Sequence, residues 1–183
     1  SVAPRAAGPS FRLATYNVNW CRAGAAATLH ACERVSADVL CLQELNPSWE
    51  ACLRPALRDA YPHMCFRHEG RGGGLAVLAR GPVEPGRWLG RRPDGRFPAW
   101  VVRADTPAGP VQVLNLHLSP PATRDDRLTV GAFWRTLGIR RREAEAFWRA
   151  VEPGRPTVVC GDFNEGDWGF ALEALRQRGL IDA

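Results

Sequence analysis

The chain contains no lysine: all 24 basic residues among its 183 are arginine, while alanine, glycine and proline abound. This is the mark of a base-composition bias, so the formal charge of +5 says little about partners. A weak positive field favours a phosphate-bearing substrate of any kind, but charge alone does not nominate nucleic acid. Long apolar runs are also missing, which leaves no membrane span in this chain. The first ten residues carry neither an initiator methionine nor a signal-like apolar core. Such a start reads as a processed or cut end, and it suits a cytoplasmic domain or one exported or anchored through a segment upstream of Ser1.

Zinc-type cysteine spacing is absent as well. Cys21, Cys32, Cys41, Cys52, Cys65 and Cys160 include no pair at the separation of about two to four residues that zinc sites use. Cys41 and Cys160 lie within apolar runs and read as small core residues. Reduced thiols are expected throughout, because a domain of this length buries roughly 70% of its unfolded surface and needs no covalent staple. The glycine-rich stretch from Gly70 to Gly74 lacks the Lys-Ser/Thr of a P-loop and precedes a strand, so it reads as a hairpin turn. The polar groups at the strand ends described below include no serine or cysteine beside a base in sequence, which disfavours covalent catalysis.

What is present is the pattern of one α/β domain behind a loose lead-in over Ser1 to Ser10. Apolar alternation predicts strands over Phe11–Val18, Asp38–Gln43, Pro62–Arg67, Leu75–Arg80, Pro98–Asp105, Pro110–Leu118 and Thr157–Gly161. Helical spacing covers Gly24–Val35, Pro47–Ala60, about Ile139–Val151 and about Gly169–Arg178. Gly81–Arg96, rich in proline, glycine and arginine, suggests hairpin connections at a sheet edge. Strands arrive both through helical crossovers and as hairpins, so the sheet is mixed; two sheet layers flanked by helices accommodate that order.

Four strand ends carry polar groups that a sheet core would not choose: Thr15-Tyr16-Asn17, Gln43-Glu44, Asn115-Leu116-His117 and Asp162-Phe163-Asn164. Together they supply two carboxylates, several amides and an imidazole. Oxygen donors of this kind suit magnesium or manganese rather than zinc. The set fits metal-assisted hydrolysis of a phosphate ester, in which a carboxylate orients or deprotonates water and amides bind phosphate oxygens.

The ordered motifs Thr15-Tyr16-Asn17-Val18, Asp38-Val39-Leu40-Cys41-Leu42-Gln43-Glu44, Gly74-Leu75-Ala76-Val77-Leu78-Ala79-Arg80, Asn115-Leu116-His117-Leu118 and Gly161-Asp162-Phe163-Asn164 resemble those of the endonuclease/exonuclease/phosphatase superfamily, the deoxyribonuclease I-like fold. The resemblance runs from Phe11 to Ala183. It implies a four-layered α/β/β/α sandwich of two mixed sheets over residues 11–183, with a divalent-metal phosphoesterase site between the sheet edges. Glu44 then resembles the main metal ligand, with Asn17 beside it on metal or phosphate. Asp162 matches the carboxylate that positions or activates water. Asn164 matches the amide that holds a phosphate oxygen in the transition state, and His117 the histidine that contacts phosphate or assists proton transfer. The implied cofactor is Mg2+ or Mn2+, and DNA, a phospholipid head group and a small phosphate ester all remain open as substrate.

One departure stands beside these matches. The family pattern continues into further strands and a closing Ser-Asp-His motif, whereas this chain ends at Leu180-Ile181-Asp182-Ala183 with no Asp-His dipeptide and only His30, His63, His68 and His117. The expectation is therefore a C-terminally truncated domain, its second half incomplete, with an open sheet edge that favours self-association. The competing reading is a catalytically silent fragment or binding module that keeps the fold. His63 and His68 fall in an ordinary strand and loop and are not expected to fill the gap. Among Arg124, Arg127, Arg140, Arg141 and Arg142, one or two are expected to meet substrate and the rest to be solvated. Trp20, Trp100, Trp134 and Trp148 read as core or rim, Trp168 as a candidate border of the cleft, and Asp167 as a helix-start carboxylate.

Overall fold

In the computed structural model, which describes residues 8–19, 24–70, 72–122, 127 and 129–182, the elements run β1 (Leu13–Asn17), α1 (Ala25–Arg34), β2 (Val39–Leu45), α2 (Pro47–Leu57), β3 (His63–Arg67), β4 (Gly74–Ala79), β5 (Val83–Leu89), β6 (Ala99–Thr106), β7 (Gly109–His117), α3 (Val130–Trp148), β8 (Thr157–Asp162) and α4 (Phe170–Arg176). Trp20, Cys21, Arg71 and Arg124 lie outside the described residues. The strands form two four-stranded sheets, ordered β1-β2-β4-β3 and β5-β6-β7-β8. Each sheet is mixed: β1 lies parallel to β2 and β7 parallel to β8, while every other pairing is antiparallel. The parallel pairs are those joined through helical crossovers.

Alternation along the central strands sends successive side chains into different layers. Val39, Cys41, Leu75 and Val77 of the first sheet meet Trp100, Val102, Val113 and Cys160 of the second between the sheets. The opposite faces bury Leu40, Leu42, Ala76 and Leu78 under Trp49, Leu53 and Leu57 of α2, and Leu114 and Leu116 under Ala144 and Phe147 of α3 and Leu175 of α4. The result is the expected α/β/β/α sandwich. Cys32, Cys41, Cys52, Cys65 and Cys160 are free thiols.

Local signals explain most element ends. Asn46 caps α2 by accepting from the Trp49 N–H, with Pro47 at the first helical position, and Thr129 caps α3 by accepting from the Ala132 N–H. That second cap places the start of α3 at Val130, well before Ile139. The first turns of α3 hide their helicity because Val130, Phe133 and Trp134 are exposed and Gly131 and Gly138 are poor helix formers, so no apolar stripe appears. Within Gly81–Arg96 lies β5, an edge strand that carries Pro85 and a register shift between Pro85 and Trp88. Among the described residues no helix is long and apolar enough to cross a membrane.

Candidate active site

β1, β2, β7 and β8 deliver their carboxyl ends to one place. The Asn17 Nδ2 donates both to Glu44 Oε1 at 2.9 Å and to Asp162 Oδ2 at 2.8 Å, so one amide from the first sheet ties together a carboxylate from each sheet. Its Oδ1 accepts from the Asn19 N–H at 2.8 Å, which fixes the orientation of the amide. The His117 Nε2 faces the same carboxylate oxygens, 3.8 Å from Glu44 and 3.7 Å from Asp162. Four of the five residues named from sequence, Asn17, Glu44, His117 and Asp162, converge here.

Glu44 reaches the site through an irregularity. Between Gln43, opposite Leu75, and Leu45, opposite Gly74, the register of β2 against β4 shifts, and Glu44 is the extra residue with φ of 60°. The bulge turns Glu44 out of the sheet while Gln43 stays buried. Gly74 is required opposite it, because a Cβ there would lie 2.0 Å from the Leu45 carbonyl oxygen.

Asp162 is the last residue of β8, and Asn164 does not continue the strand, contrary to the alternation that puts the pair on one sheet face. The Asn164 backbone adopts φ of 52°, its N–H donates to Asp162 Oδ1 at 2.9 Å, and its Nδ2 donates to the Leu118 carbonyl at 2.8 Å. This tight aspartate turn sets the Asp162 carboxylate and leaves Asn164 one further side-chain N–H. Gly161 permits it: φ is 132°, and a Cβ would stand 1.9 Å from the Leu116 carbonyl oxygen.

His117 is buried and stacked on Phe97, with ring centroids 3.8 Å apart and planes at 7°. Burial foremost, with Arg96 adding to it, pushes its pKa down to about 4 against the opposing pull of Asp162 and the Gly72 carbonyl. The imidazole is therefore neutral at pH 7. Nδ1 makes no well-formed hydrogen bond among the described residues, although the Gly72 backbone carbonyl pulls on the ring.

Thr15, Gln43 and Asn115 serve the frame. The Gln43 Nε2 donates to Asn115 Oδ1 at 2.7 Å and to Thr15 Oγ1 at 3.0 Å, and the Asn115 Nδ2 donates to the carbonyls of Leu42 at 3.2 Å and Ala76 at 3.0 Å. Asn115 thus stitches the second sheet to the first, two residues before His117. Glu143, unremarked in the charged run from Arg140 to Glu145, accepts from the Ser119 N–H and Oγ–H, both at 2.9 Å. Burial raises its pKa, although these bonds and one from the Arg96 backbone pull it down.

Among the arginines, Arg140 is neither solvated nor a substrate contact: it is fully buried, with Nε 3.2 Å from Glu165 Oε2 and Nη1 donating to the Ser119 carbonyl and Thr136 Oγ1. Arg141 pairs with Glu145 at 3.0 Å on the surface, and Arg142 with Asp94 at 3.0 Å. Trp100 is core and Trp134 and Trp168 are exposed, Trp168 almost completely. The Asp167 carbonyl accepts from Arg176 Nη1. His68 pairs with Glu50 at 2.8 Å, and His30 and His63 are exposed on α1 and β3, so the structure brings none of the three to Asp162.

The family model for the endonuclease/exonuclease/phosphatase family matches residues 14–182. The chain belongs to that family. No curated protein sequence matches it. Its fold is similar to a β-hairpin deletion mutant of beta toxin from Staphylococcus aureus, with a TM-score of 0.63 and 12% identity over 96% of this chain and 75% of that one. It is also similar to sphingomyelinase C from Streptomyces griseocarneus, with a TM-score of 0.64 and 17% identity over 94% and 70%. TDP2 from C. elegans gives a TM-score of 0.61 at 17% identity over 86% of this chain and 48% of that one. At these identities the likeness concerns the deoxyribonuclease I-like fold alone. Among the described residues no group of three or more His, Cys, Asp or Glu is arranged to hold a metal.

Proposed function

We propose that the chain is a divalent-metal-dependent phosphoesterase that cleaves a phosphodiester or phosphomonoester by in-line attack of water. The observation that carries this reading is the convergence of Glu44 and Asp162 on one amide, with a neutral imidazole beside both. Two carboxylates drawn from different sheets to within hydrogen-bond reach of one Asn17 amide form an oxygen-rich, anionic donor set. Such a set suits Mg2+ or Mn2+, ions that keep several waters and take one or two protein carboxylates. Glu44 would hold the ion, which when bound supplies charge stabilisation at the phosphoryl oxygens, while Asn17, whose Nδ2 donates to both carboxylates and whose Oδ1 is held by the Asn19 N–H, orients the pair rather than ligating.

The remaining work falls to the chain's own side chains. Asp162 keeps Oδ1 on the Asn164 N–H, which orients Oδ2 to accept a proton from the attacking water. Asn164 offers its remaining side-chain N–H, and His117 a neutral ring N–H, to the phosphate oxygens where charge grows. Phe97 against the imidazole face and the buried setting of His117 keep that donor in place and uncharged. Little covalent chemistry is asked of the protein, since phosphoryl transfer is mainly positioning and charge stabilisation.

The test is hydrolysis of bis-p-nitrophenyl phosphate with Mg2+ or Mn2+ and with EDTA, followed by a panel of nicked DNA, plasmid and phosphoinositides. Turnover that EDTA abolishes and Mg2+ restores supports the reading. Absence of turnover with every metal and substrate sinks it in favour of a silent, binding role.

A further inference from the structure

Beside the His117 strand end lies a cavity of about 370 Å3 whose lining includes Asp94, Arg96, Ser119, Arg135 and Thr136. Ser119 is two residues beyond His117, and Arg96 precedes the Phe97 ring that stacks on His117, so this space adjoins the catalytic histidine along the chain on both walls. Of the guanidiniums on α3, Arg140, Arg141 and Arg142 are each paired with a carboxylate, whereas Arg135 has no ion pair or hydrogen bond among the described residues and faces this cavity. Among the described lining residues the carboxylate is that of Asp94, which is already engaged by Arg92 at 3.3 Å and Arg142 at 3.0 Å. Behind the wall, Arg140 holds the Ser119 carbonyl and Thr136 Oγ1, and its Nη2 is buried with no hydrogen-bond partner among the described residues. Glu143 fixes Ser119 in this wall through two bonds.

The geometry points to a second anion subsite in this cavity: it takes a further phosphate of the substrate, next to the phosphate that is hydrolysed, with Arg135 as the principal contact. The inference rests on the phosphoesterase reading and narrows its substrate class to esters that carry at least two phosphate groups. The second phosphate could be a neighbouring phosphodiester of a polynucleotide or a phosphomonoester on the alcohol; both present the anionic oxygens that a guanidinium fork binds.

The experiment uses thymidine 5′-(p-nitrophenyl phosphate), unsubstituted, with a 3′-phosphate, and with a 3′-methyl phosphodiester, on the wild-type chain, Arg135→Ala and Arg135→Lys. The 3′-phosphorylated substrate is expected to exceed the unsubstituted one in kcat/KM, and Arg135→Ala to reduce that ratio about tenfold, the scale of one lost charge-assisted hydrogen bond, with Arg135→Lys between the two. A preference for the methyl diester over the monoester identifies a polynucleotide backbone as the source, and the reverse order a phosphomonoester. Arg141→Ala, on the exposed Arg141–Glu145 pair, is the control expected to leave the ratio unchanged. Binding of thymidine 3′,5′-bisphosphate against thymidine 5′-phosphate, measured by calorimetry, repeats the comparison without turnover. A bisphosphate preference that Arg135→Ala abolishes, in a chain that hydrolyses nothing, upholds the subsite and overturns the hydrolase reading. A ratio and a binding preference both untouched by Arg135→Ala overturn the subsite.

Discussion

Replacing Asn115 by leucine removes the stitch between the sheets while keeping the same branched heavy-atom skeleton, so no cavity is left behind and the effect is not one of cavity formation. Three bonds disappear: the 2.7 Å acceptance from Gln43 Nε2 and the donations to the carbonyls of Leu42 and Ala76. Each buried group left without its partner costs about 1–3 kcal/mol. Gln43 keeps its bond to Thr15 Oγ1, and carbonyls tolerate the loss of one partner better than N–H groups do, which favours the lower part of that range. The expected destabilisation is about 3–5 kcal/mol, a large share of the 5–15 kcal/mol typical of a domain. Urea unfolding reads it as a lower midpoint at unchanged slope. The double variant Asn115→Leu/Gln43→Leu should be less destabilised than the sum of the singles, by about 1–2 kcal/mol, because it removes donor and acceptor together. A loss under about 1 kcal/mol for Asn115→Leu would refute the claim that this amide holds the two sheets in register.

Three further outcomes are expected. Arg140→Met leaves the buried Glu165 carboxylate uncompensated and should cost about 3–5 kcal/mol, while Arg141→Ala, which breaks an exposed pair, should cost no more than about 0.5 kcal/mol; calorimetric melting of both variants checks the contrast. Glu143 has a pKa raised above its ordinary 4.5 by burial, so the folded chain holds a proton that the unfolded chain releases as pH climbs past that value. Its stabilisation is fully present below the ordinary value and is lost as pH rises through the raised one; the urea midpoint of the wild type relative to Glu143→Gln should fall as pH climbs above the ordinary 4.5. Gly161→Ala should abolish both the fold of the β8 end and activity, because a Cβ has no room against the Leu116 carbonyl, and circular dichroism with the hydrolysis assay reads both.

Much of the frame was legible because its strands are apolar runs interrupted by glycine, proline and asparagine. β2, β4, β7 and β8 appear within two residues of their expected limits, and the polar ends of β1, β2, β7 and β8 marked where chemistry would gather. The convergence of Asn17, Glu44, His117 and Asp162 came from the family resemblance, since nothing local says that β1 and β8 meet across two sheets. Glu44 escaped a strand reading because its position depends on a bulge with positive φ, a conformation that non-glycine residues seldom signal. Asn164 left the strand for the same reason. Arg140 looked like one of a solvated run because its partner Glu165 lies 25 residues away, and the start of α3 was masked by exposed aromatics and glycines.

The most direct measurement compares kcat for Mg2+-dependent hydrolysis of bis-p-nitrophenyl phosphate by the wild type, Glu44→Ala and Asp162→Asn, each verified as folded by circular dichroism. Asp162→Asn preserves shape and removes the charge that accepts the proton, and Glu44→Ala removes the carboxylate that would hold the ion. Both should lower kcat by at least about a hundredfold, the scale of a lost general base. Normal turnover in either folded variant would contradict a site built on the two carboxylates that share the Asn17 amide.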